Sequence, residues 1–520
     1  MPLSAILAGT LLLTATGLFS QAVGFVYRML LSRLIGAETM GLYQLVMPVY
    51  SLLMSVTAVG LTVAVSTLSA RYHALEDDGT VKAVLRRALG GFFLLAIPLG
   101  IAVAALSDPI SVYLLGDART RLGVVMLAPC VLLTGVENLH KHCFYGIGRV
   151  RPPAAVETAE QLIRAIAVLG LLAALLPRSA EETVGIIVLG MVLCEVFSAC
   201  ALTLLFRRHW NRFPPAPAQT EVSLRRLFSV ALPVGATSLL GTVLGCSNSV
   251  LIPAKLVEGG MALPDAMAEF GVVCGMTLPL LALPTGFIGA LCLVMVPDLA
   301  RRTAQGDRRA AGGFLDRVMS ATSLLMAPAM ALLSVIGPTL GQAMFRDGRV
   351  GELILPLAAG TLLGCWQSVL SGALNGLGLQ GKAARNAIVS DVVQLAFTFF
   401  AVVEWGLAGF AAGFAASGLV GAGLNLASVL RATGLRTQLF RWFIRPLLAA
   451  VFMGLWCNLL FQLMLDSGCA QEWSALACTA LGVVLYAAAL LAQGLSVNVV
   501  FARFRSQLRR RRWERWRPAF

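Results

Sequence analysis

Fourteen stretches of about twenty predominantly apolar residues follow one another along this 520-residue chain, at 5–27, 43–70, 88–106, 122–144, 155–176, 183–206, 227–252, 270–296, 318–341, 353–375, 386–404, 406–430, 443–465 and 473–497. Each is long enough to cross the hydrocarbon core of a bilayer, which takes about 20 residues of α-helix. Hydrocarbon offers no partner to backbone N–H and C=O groups, so a crossing chain must satisfy them internally, as a helix does. Composition agrees: 58% of residues are hydrophobic and 13% charged, against roughly 25% charged in ordinary globular domains. A soluble multidomain fold, a disordered chain, a coiled coil and a disulfide-built secreted scaffold are all excluded. The expectation is an all-α polytopic membrane protein.

The basic residues test the count independently. Of 40 Lys and Arg, 31 fall in or beside the even-numbered loops and the C-terminal tail, 8 beside the odd-numbered loops, and Arg164 lies inside a span. A missed or invented span would scramble this alternation. By the positive-inside rule both termini of this multi-pass membrane protein are expected in the cytoplasm. The stretch Met1–Ser4 has no basic segment ahead of the first apolar run, so that run is read as a first spanning helix and not as a cleaved signal. The tail from Arg503 to Arg517 holds eight arginines with Trp513 and Trp516; it is read as a snorkelling anchor among membrane lipids, not as a nucleic-acid site. The net charge of +14 is accounted for by this distribution.

The sequence also repeats. Gly146-Ile147-Gly148 is echoed by Gly376-Leu377-Gly378, an offset of 230, and the same offset carries Ala70-Arg71 onto Ala300-Arg301, Gln161 onto Asp391 and Arg164 onto Gln394. The expected organisation is two pseudo-symmetric six-helix lobes, 1–206 and 227–430, joined by a cytoplasmic linker at 207–226. Two additional helices (443–497) and a basic tail (498–520) follow. Six crossings per half leave the halves in the same orientation, the arrangement of transporters that place substrate between lobes.

Polar residues within the spans mark a site, because ionisable groups in hydrocarbon are tolerated only beside a cavity or a partner. Glu157, Glu160, Gln161 and Arg164 fall on one face of the fifth span at helical spacing. The alternatives are a cavity lining and a self-neutralising Glu160–Arg164 pair; the all-polar stripe favours the cavity. Glu137 and Asn138 join from the fourth span. The adjacent His140 and His142 are placed at headgroup level and not in proton transfer or metal binding. Arg28 closes the first span as either a gate lining or a snorkelling side chain, with Gln21 two turns before it. Asp391, Glu195 and Asn248 are candidates for ion coupling. Pro233, Pro279 and Pro284 predict kinked or broken seventh and eighth spans.

The eleven cysteines are scattered, with no CxxC pair, and imply neither a disulfide framework nor a metal site. A phosphate-binding GxxxxGK[ST] loop and the motifs of hydrolytic catalysis are missing from the sequence, so neither ATP driving nor an enzyme is expected.

The run Phe19-Ser-Gln21-Ala-Val-Gly24-Phe25-Val-Tyr27-Arg28, followed by Gly36-Ala37-Glu38 and Gly41-Leu-Tyr43-Gln44, resembles the opening of the stage V sporulation protein B / polysaccharide biosynthesis flippase group. That group lies within the multidrug/oligosaccharidyl-lipid/polysaccharide exporter superfamily. Gly146-Ile-Gly148-Arg149 with Glu160-Gln161-x-x-Arg164 resembles the same group's fourth-to-fifth span segment. The resemblance implies a fourteen-helix flippase whose two lobes pass an undecaprenyl-pyrophosphate-linked sugar, lipid II among the candidates, from the inner to the outer leaflet for cell-wall, spore-cortex or surface-polysaccharide assembly. Cell-wall or polysaccharide synthesis proteins are the implied partners. No cofactor is implied beyond a coupling cation, Na⁺ or H⁺, or the membrane potential. Gln21 and Tyr27-Arg28 stand where the dedicated lipid II flippases carry a basic residue and Arg-Asp, which leaves the glycan open. On this reading Arg28 and Arg164 hold phosphate; Glu137, Asn138, Glu157, Glu160, Gln161 and Gln21 line the path. An ion-coupled drug or cation antiporter of the same fold is the alternative, and a membrane-embedded glycan polymerase or ligase a more distant one.

Overall fold

The computed structural model describes residues 3–175, 178–212, 223–305 and 308–493. The proline-rich middle of the expected linker (213–222) and the arginine-rich tail lie outside the described residues, and no β-strand occurs among the described ones.

The expected apolar runs are helices, and most extend past the boundaries read from hydropathy. α1 (Leu3–Met54) runs through a π-helical turn, Ser55–Val59, into α2 (Gly60–Ala74). The apolar stretch from Thr14 to Ala74 holds 61 residues, about 90 Å of helix against a core of about 30 Å. It therefore crosses twice, and the reversal is at Gly36, whose φ of 75° and ψ of 173° interrupt α1. A loop was expected at 28–42. The chain instead stays helical up to Gly36 and resumes directly after it, because no proline or turn cluster precedes that glycine. Arg28 is thus inside the helix and not at its end.

α3 (Asp78–Ala105) starts from Asp77, whose carboxylate accepts the Thr80 N–H at 3.0 Å, satisfying one of the free donors of a helix start. The single turn α4 (Ser107–Pro109) leads to α5 (Arg121–Gly146), α6 (Arg151–Leu175) and α7 (Ala180–Arg212). The second half comprises α8 (Leu224–Glu258), α9 (Leu263–Phe270), a π-helical stretch at Gly271–Thr277, α10 (Leu278–Ala282), α11 (Gly286–Ala304), α12 (Arg308–Leu340), α13 (Arg349–Gly376), α14 (Gln380–Trp405) and α15 (Leu407–Thr433). α16 (Arg445–Asp466) and α17 (Gln471–Ala492) complete the bundle and pack on α12. Counting the Thr14–Ala74 stretch twice, the 13 long apolar helices among the described residues make fourteen crossings.

The eighth span is broken at its prolines, and the seventh is unbroken. Pro284 lies in the interruption between α10 and α11, where Pro and Gly stand two residues apart, and Pro279 follows the π-helical stretch. Pro233 and Pro253 are both carried inside a continuous α8; a proline in a spanning helix is accommodated when neighbouring groups take up the freed carbonyl.

The two halves repeat in three dimensions. In the first, α5 packs on α3 and α7, and α6 on α7; in the second, α13 packs on α12 and α15, and α14 on α15. Gly146 ends α5 against Ser66 and Ser69 so closely that a Cβ would lie 2.7 Å from each, and Gly376 ends α13 against Val296 and Leu299 with the corresponding gaps at 2.9 and 3.1 Å. All four positions are related by the offset that takes Gly146 to Gly376. The lobes meet where the second half of α1 packs on α9 and the π-helical stretch, and where α2 runs along α8.

Candidate functional site

In the first lobe the expected polar face of α6 is divided. Glu160 and Arg164 turn toward α7: Arg164 donates to Glu160, and to Glu195 Oε1 at 3.2 Å. Glu137 of α5 completes the group, and one oxygen from each of the three glutamates lies within 4.8 Å of the others. Lys141 Nζ donates to Glu137 at 3.3 Å. The helical pair weighed from the sequence is therefore present, and it is part of a larger buried cluster. Glu195 Oε2 and Arg164 Nε are buried without a partner among the described residues.

The chemistry of this cluster follows from its charges. Two carboxylate oxygens within 4.8 Å of each other repel by at least about 3.5 kcal/mol at an effective dielectric of about 20. Lys141 and Arg164 offset two of the three negative charges, leaving one. An all-oxygen carboxylate set suits H⁺ or a hard cation and not a thiophilic metal; with two side-chain cations already present, a single monovalent charge balances it. A quarter of the Arg164 side chain and 17% of the Lys141 side chain are still accessible, against 2% of Glu195 and 3% of Glu137, so the cations of the cluster, and not its carboxylates, border the outside.

The other expected residues are spread around this centre. Glu157, Gln161 and Asn138 are half-buried and Arg28 is exposed; none has a hydrogen-bond or ion-pair partner among the described residues. Gln21 bridges the lobes, its Nε2 donating to Ala282 O at 2.7 Å, the carbonyl at the end of α10 that also accepts from Thr285 Oγ1 at 2.7 Å. His140 is buried and bonds to Val136 O at 2.8 Å, a packed histidine. In the second lobe Asp391 is half-buried and without a partner among the described residues, and Asn248 accepts from Thr398 Oγ1 at 2.9 Å.

The offset of the repeat carries Glu137, Glu160, Arg164 and Glu195 onto Gln367, Ser390, Gln394 and Asn425. These four are also a cluster, uncharged and hydrogen-bonded: Ser390 Oγ donates to Gln367 Oε1 at 3.4 Å, Asn425 Nδ2 to Gln367 O at 3.2 Å, and Ser417 Oγ to Gln394 Oε1 at 3.1 Å. Asn386 extends the network to Asn425 Oδ1 at 3.0 Å. The same scaffold positions are charged in one lobe and neutral in the other. Sequence reading reached Gln394 and missed Gln367 and Asn425; applying the offset to Glu137 and Glu195 would have found them.

A cavity of about 820 Å³ opens beside the neutral cluster, between α11, α13, α14 and α15. It lies in the half of the bundle away from Gly36. An arginine-bearing chamber between the lobes was expected; this cavity is instead lined by residues of the second lobe alone, and neither Arg28 nor Arg164 lines it, because Arg164 is drawn into its own lobe by two carboxylates.

The polysaccharide biosynthesis protein family matches residues 6–277. The stage V sporulation protein B of Bacillus subtilis (strain 168) is 26% identical over 404 residues, 76% of this chain and 77% of that protein. The lipid II flippase MurJ of the same organism is 20% identical over 419 residues, covering 75% and 76%. A solved structure of lipid II flippase MurJ in an inward closed conformation superposes with a TM-score of 0.69 over 92% of this chain and 98% of that one, at 13% identity.

Proposed function

The chain belongs to the polysaccharide biosynthesis protein family, a group of multi-pass flippases for lipid-linked glycans, and from that premise we propose that it moves an undecaprenyl-pyrophosphate-linked oligosaccharide from the inner to the outer leaflet of the bacterial cytoplasmic membrane by alternating access. The observation that carries this reading is the cavity of about 820 Å³ among spanning helices, where Gln367, Ser368, Ser371, Asn375 and Asn425 set an uncharged hydrogen-bonding stripe into an otherwise apolar and glycine wall, placed away from the lobe contact near Gly36. With both termini in the cytoplasm, that half of the bundle is the cytoplasmic half, where such a substrate is made.

The parts divide by chemistry. Arg28, exposed and unpaired among the described residues, offers a guanidinium to the diphosphate; such groups bind phosphate oxygens two at a time and stay charged. The surplus negative charge of Glu137, Glu160 and Glu195 takes the coupling ion, H⁺ or Na⁺. Its uptake weakens the carboxylates' hold on Arg164, which then becomes the second phosphate ligand. The polyprenyl tail remains in lipid. The membrane potential adds about 2.3 kcal/mol per charge per 100 mV moved across it.

The test is the full chain in proteoliposomes with fluorescent undecaprenyl-pyrophosphate-disaccharide, reading transfer to the opposite leaflet with and without an imposed Na⁺ or H⁺ gradient. Transfer above that of empty vesicles, reduced about tenfold in Arg28→Ala by loss of a charged hydrogen bond, is the expected result. No transfer under any gradient overturns the reading, and gradient-driven efflux of cationic drugs without lipid movement would establish the antiporter instead.

A further inference from the structure

Along α13, Gln367, Ser371 and Asn375 stand four residues apart, with Ser368 beside them, so that they stack on one face over about 12 Å of helix rise. Asn425 of α15 reaches the same cavity. The side chains of Ser368, Ser371 and Asn375 are bonded to no protein group among the described residues. Amides and hydroxyls without partners are costly in hydrocarbon, so these groups face water or a ligand that supplies donors and acceptors together. None of the residues lining the cavity is charged. Gly364 on the same wall, where an added Cβ would meet nothing within 4 Å, leaves room for a ring to lie against the helix. The volume is within the roughly 300–1,000 Å³ of small-molecule sites, and the polar stripe is about the length of a disaccharide.

The symmetry mates of this wall sharpen its meaning. Gln367, Ser368, Ser371 and Asn425 correspond to Glu137, Asn138, Lys141 and Glu195. One scaffold thus presents ionic groups from the first lobe and only neutral ones from the second. A lipid-linked saccharide is divided in the same way, with its charge in the diphosphate and neutral hydroxyl and acetamide groups in the sugar.

We propose that the second-lobe wall formed by Gln367, Ser368, Ser371, Asn375 and Asn425 is the saccharide subsite, taking a neutral, hydroxyl- and acetamide-bearing glycan, on the premise of the glycan-lipid substrate proposed above. Amide side chains both donate and accept, matching hydroxyls whose orientation varies from sugar to sugar. A uronic acid would bring a carboxylate against a wall with no cation to pair it, an arrangement that costs far more than an unmatched hydroxyl. The subsite therefore selects by charge and reads hydroxyl pattern only loosely.

Binding to the full-length protein in lipid nanodiscs tests this with three probes: undecaprenyl pyrophosphate, the same lipid carrying an N-acetylhexosamine disaccharide, and the same lipid carrying a disaccharide with one uronic acid. The neutral disaccharide is expected to bind about tenfold more tightly than the bare lipid, the yield of one or two net hydrogen bonds, and the uronic acid form no better than the bare lipid. Ser371→Val and Asn375→Leu, with Ser371→Ala as the milder variant, should erase the tenfold preference while retaining bare-lipid affinity, which also reports that they are folded. Preference for sugar that survives all three variants, or equal binding of the uronic acid form, overturns the subsite. Bare-lipid binding with no gain from sugar sinks the subsite and leaves the glycan-lipid reading standing. Binding of none of the three probes by the unaltered protein sinks both.

Discussion

Gly41 and Gly271 face each other across the lobe contact: a Cβ on Gly41 would lie 2.0 Å from Met267 O, and one on Gly271 would lie 2.0 Å from Ala37 O. The two glycines are 230 residues apart, as are Ala37 and Met267, so each half meets the other with the same surface. That reciprocity is the mark of a two-fold contact. Around it, Phe25 meets Phe345 edge to face at 6.1 Å, and the Arg33 guanidinium donates to the carbonyls of Ala343 and Met344.

A methyl group at either glycine meets backbone, which cannot rotate away. Gly41→Ala and Gly271→Ala should therefore push the lobes apart at this end. Overpacking of this kind costs about 1–3 kcal/mol, enough to shift a two-state equilibrium about tenfold or more. Cysteine pairs placed across the contact should cross-link less in both variants, and to the same degree. Unchanged cross-linking would mean that the contact already opens freely.

Arg164 should be among the most sensitive positions in the first lobe. Replacing it with Leu leaves Glu160 and Glu195 without their shared cation, and breaking a buried ion pair from one side costs about 3–5 kcal/mol. Glu195→Gln removes the surplus charge and relieves repulsion with Glu137 and Glu160, so its thermal stability in detergent should match or exceed that of the parent. The same variant should lose the dependence of transport on the coupling ion. A cluster held only by packing would not show this order, and Glu195→Gln would be as damaging as Arg164→Leu.

The spans were readable because hydrocarbon imposes one length and one polarity on every crossing, and the Glu404-Trp405-Gly406 boundary fell at the end of α14. The repeat was readable from glycines such as Gly146 and Gly376, since close helix contacts tolerate no substitute. The neutral cluster was not. Gln367 and Asn425 carry no charge, and among so many helices a lone amide gives no signal until its symmetry mate is known to be ionic. The pairing of Arg164 with Glu195 was hidden for another reason: those residues are on different helices, and sequence spacing speaks only for neighbours on one. Gly36 as the sole break between the first two spans was masked by the polar residues around it, which hydropathy reads as loop.

Matching ion-pair clasps occur at the Gly36 end of each lobe. Arg119 joins Asp117 to Glu38, and Arg349 joins Asp347 to Glu269, with Arg–Asp contacts of 2.7 Å in both and an Arg349–Glu269 contact of 3.0 Å. Burial pushes the Asp347 carboxyl up, and hydrogen bonds from the Arg349 side chain and backbone outweigh it and hold the carboxyl below the usual carboxylate range. A folded-state value below the unfolded one means the clasp contributes fully at neutral pH and is lost as pH falls through that lowered value. Arg349→Ala should move the acid midpoint for hydrogen exchange in residues 341–348 upward, toward the ordinary aspartate range near pH 4. An unmoved midpoint would show that Asp347 is held by something other than Arg349.

The last two helices have no counterpart in the repeat, and a single carboxylate ties their start to it. Asp316 of α12 accepts from the Trp442 indole at 2.7 Å and pairs with Arg441, and Trp442 is fully buried. Asp316→Ala would strand the indole N–H inside the protein, at about 1–3 kcal/mol for a buried donor left unsatisfied. Asp316→Asn keeps an acceptor for Trp442 and loses only the pairing with Arg441, which is more exposed and contributes less. Thermal unfolding in detergent should thus rank the parent above Asp316→Asn and Asp316→Ala last. Protease sensitivity at 434–439, where the chain enters this segment, should rise in the same order. Equal losses in the two variants would assign the attachment to charge; no loss in either would assign it to the apolar packing of α16 and α17 on α12.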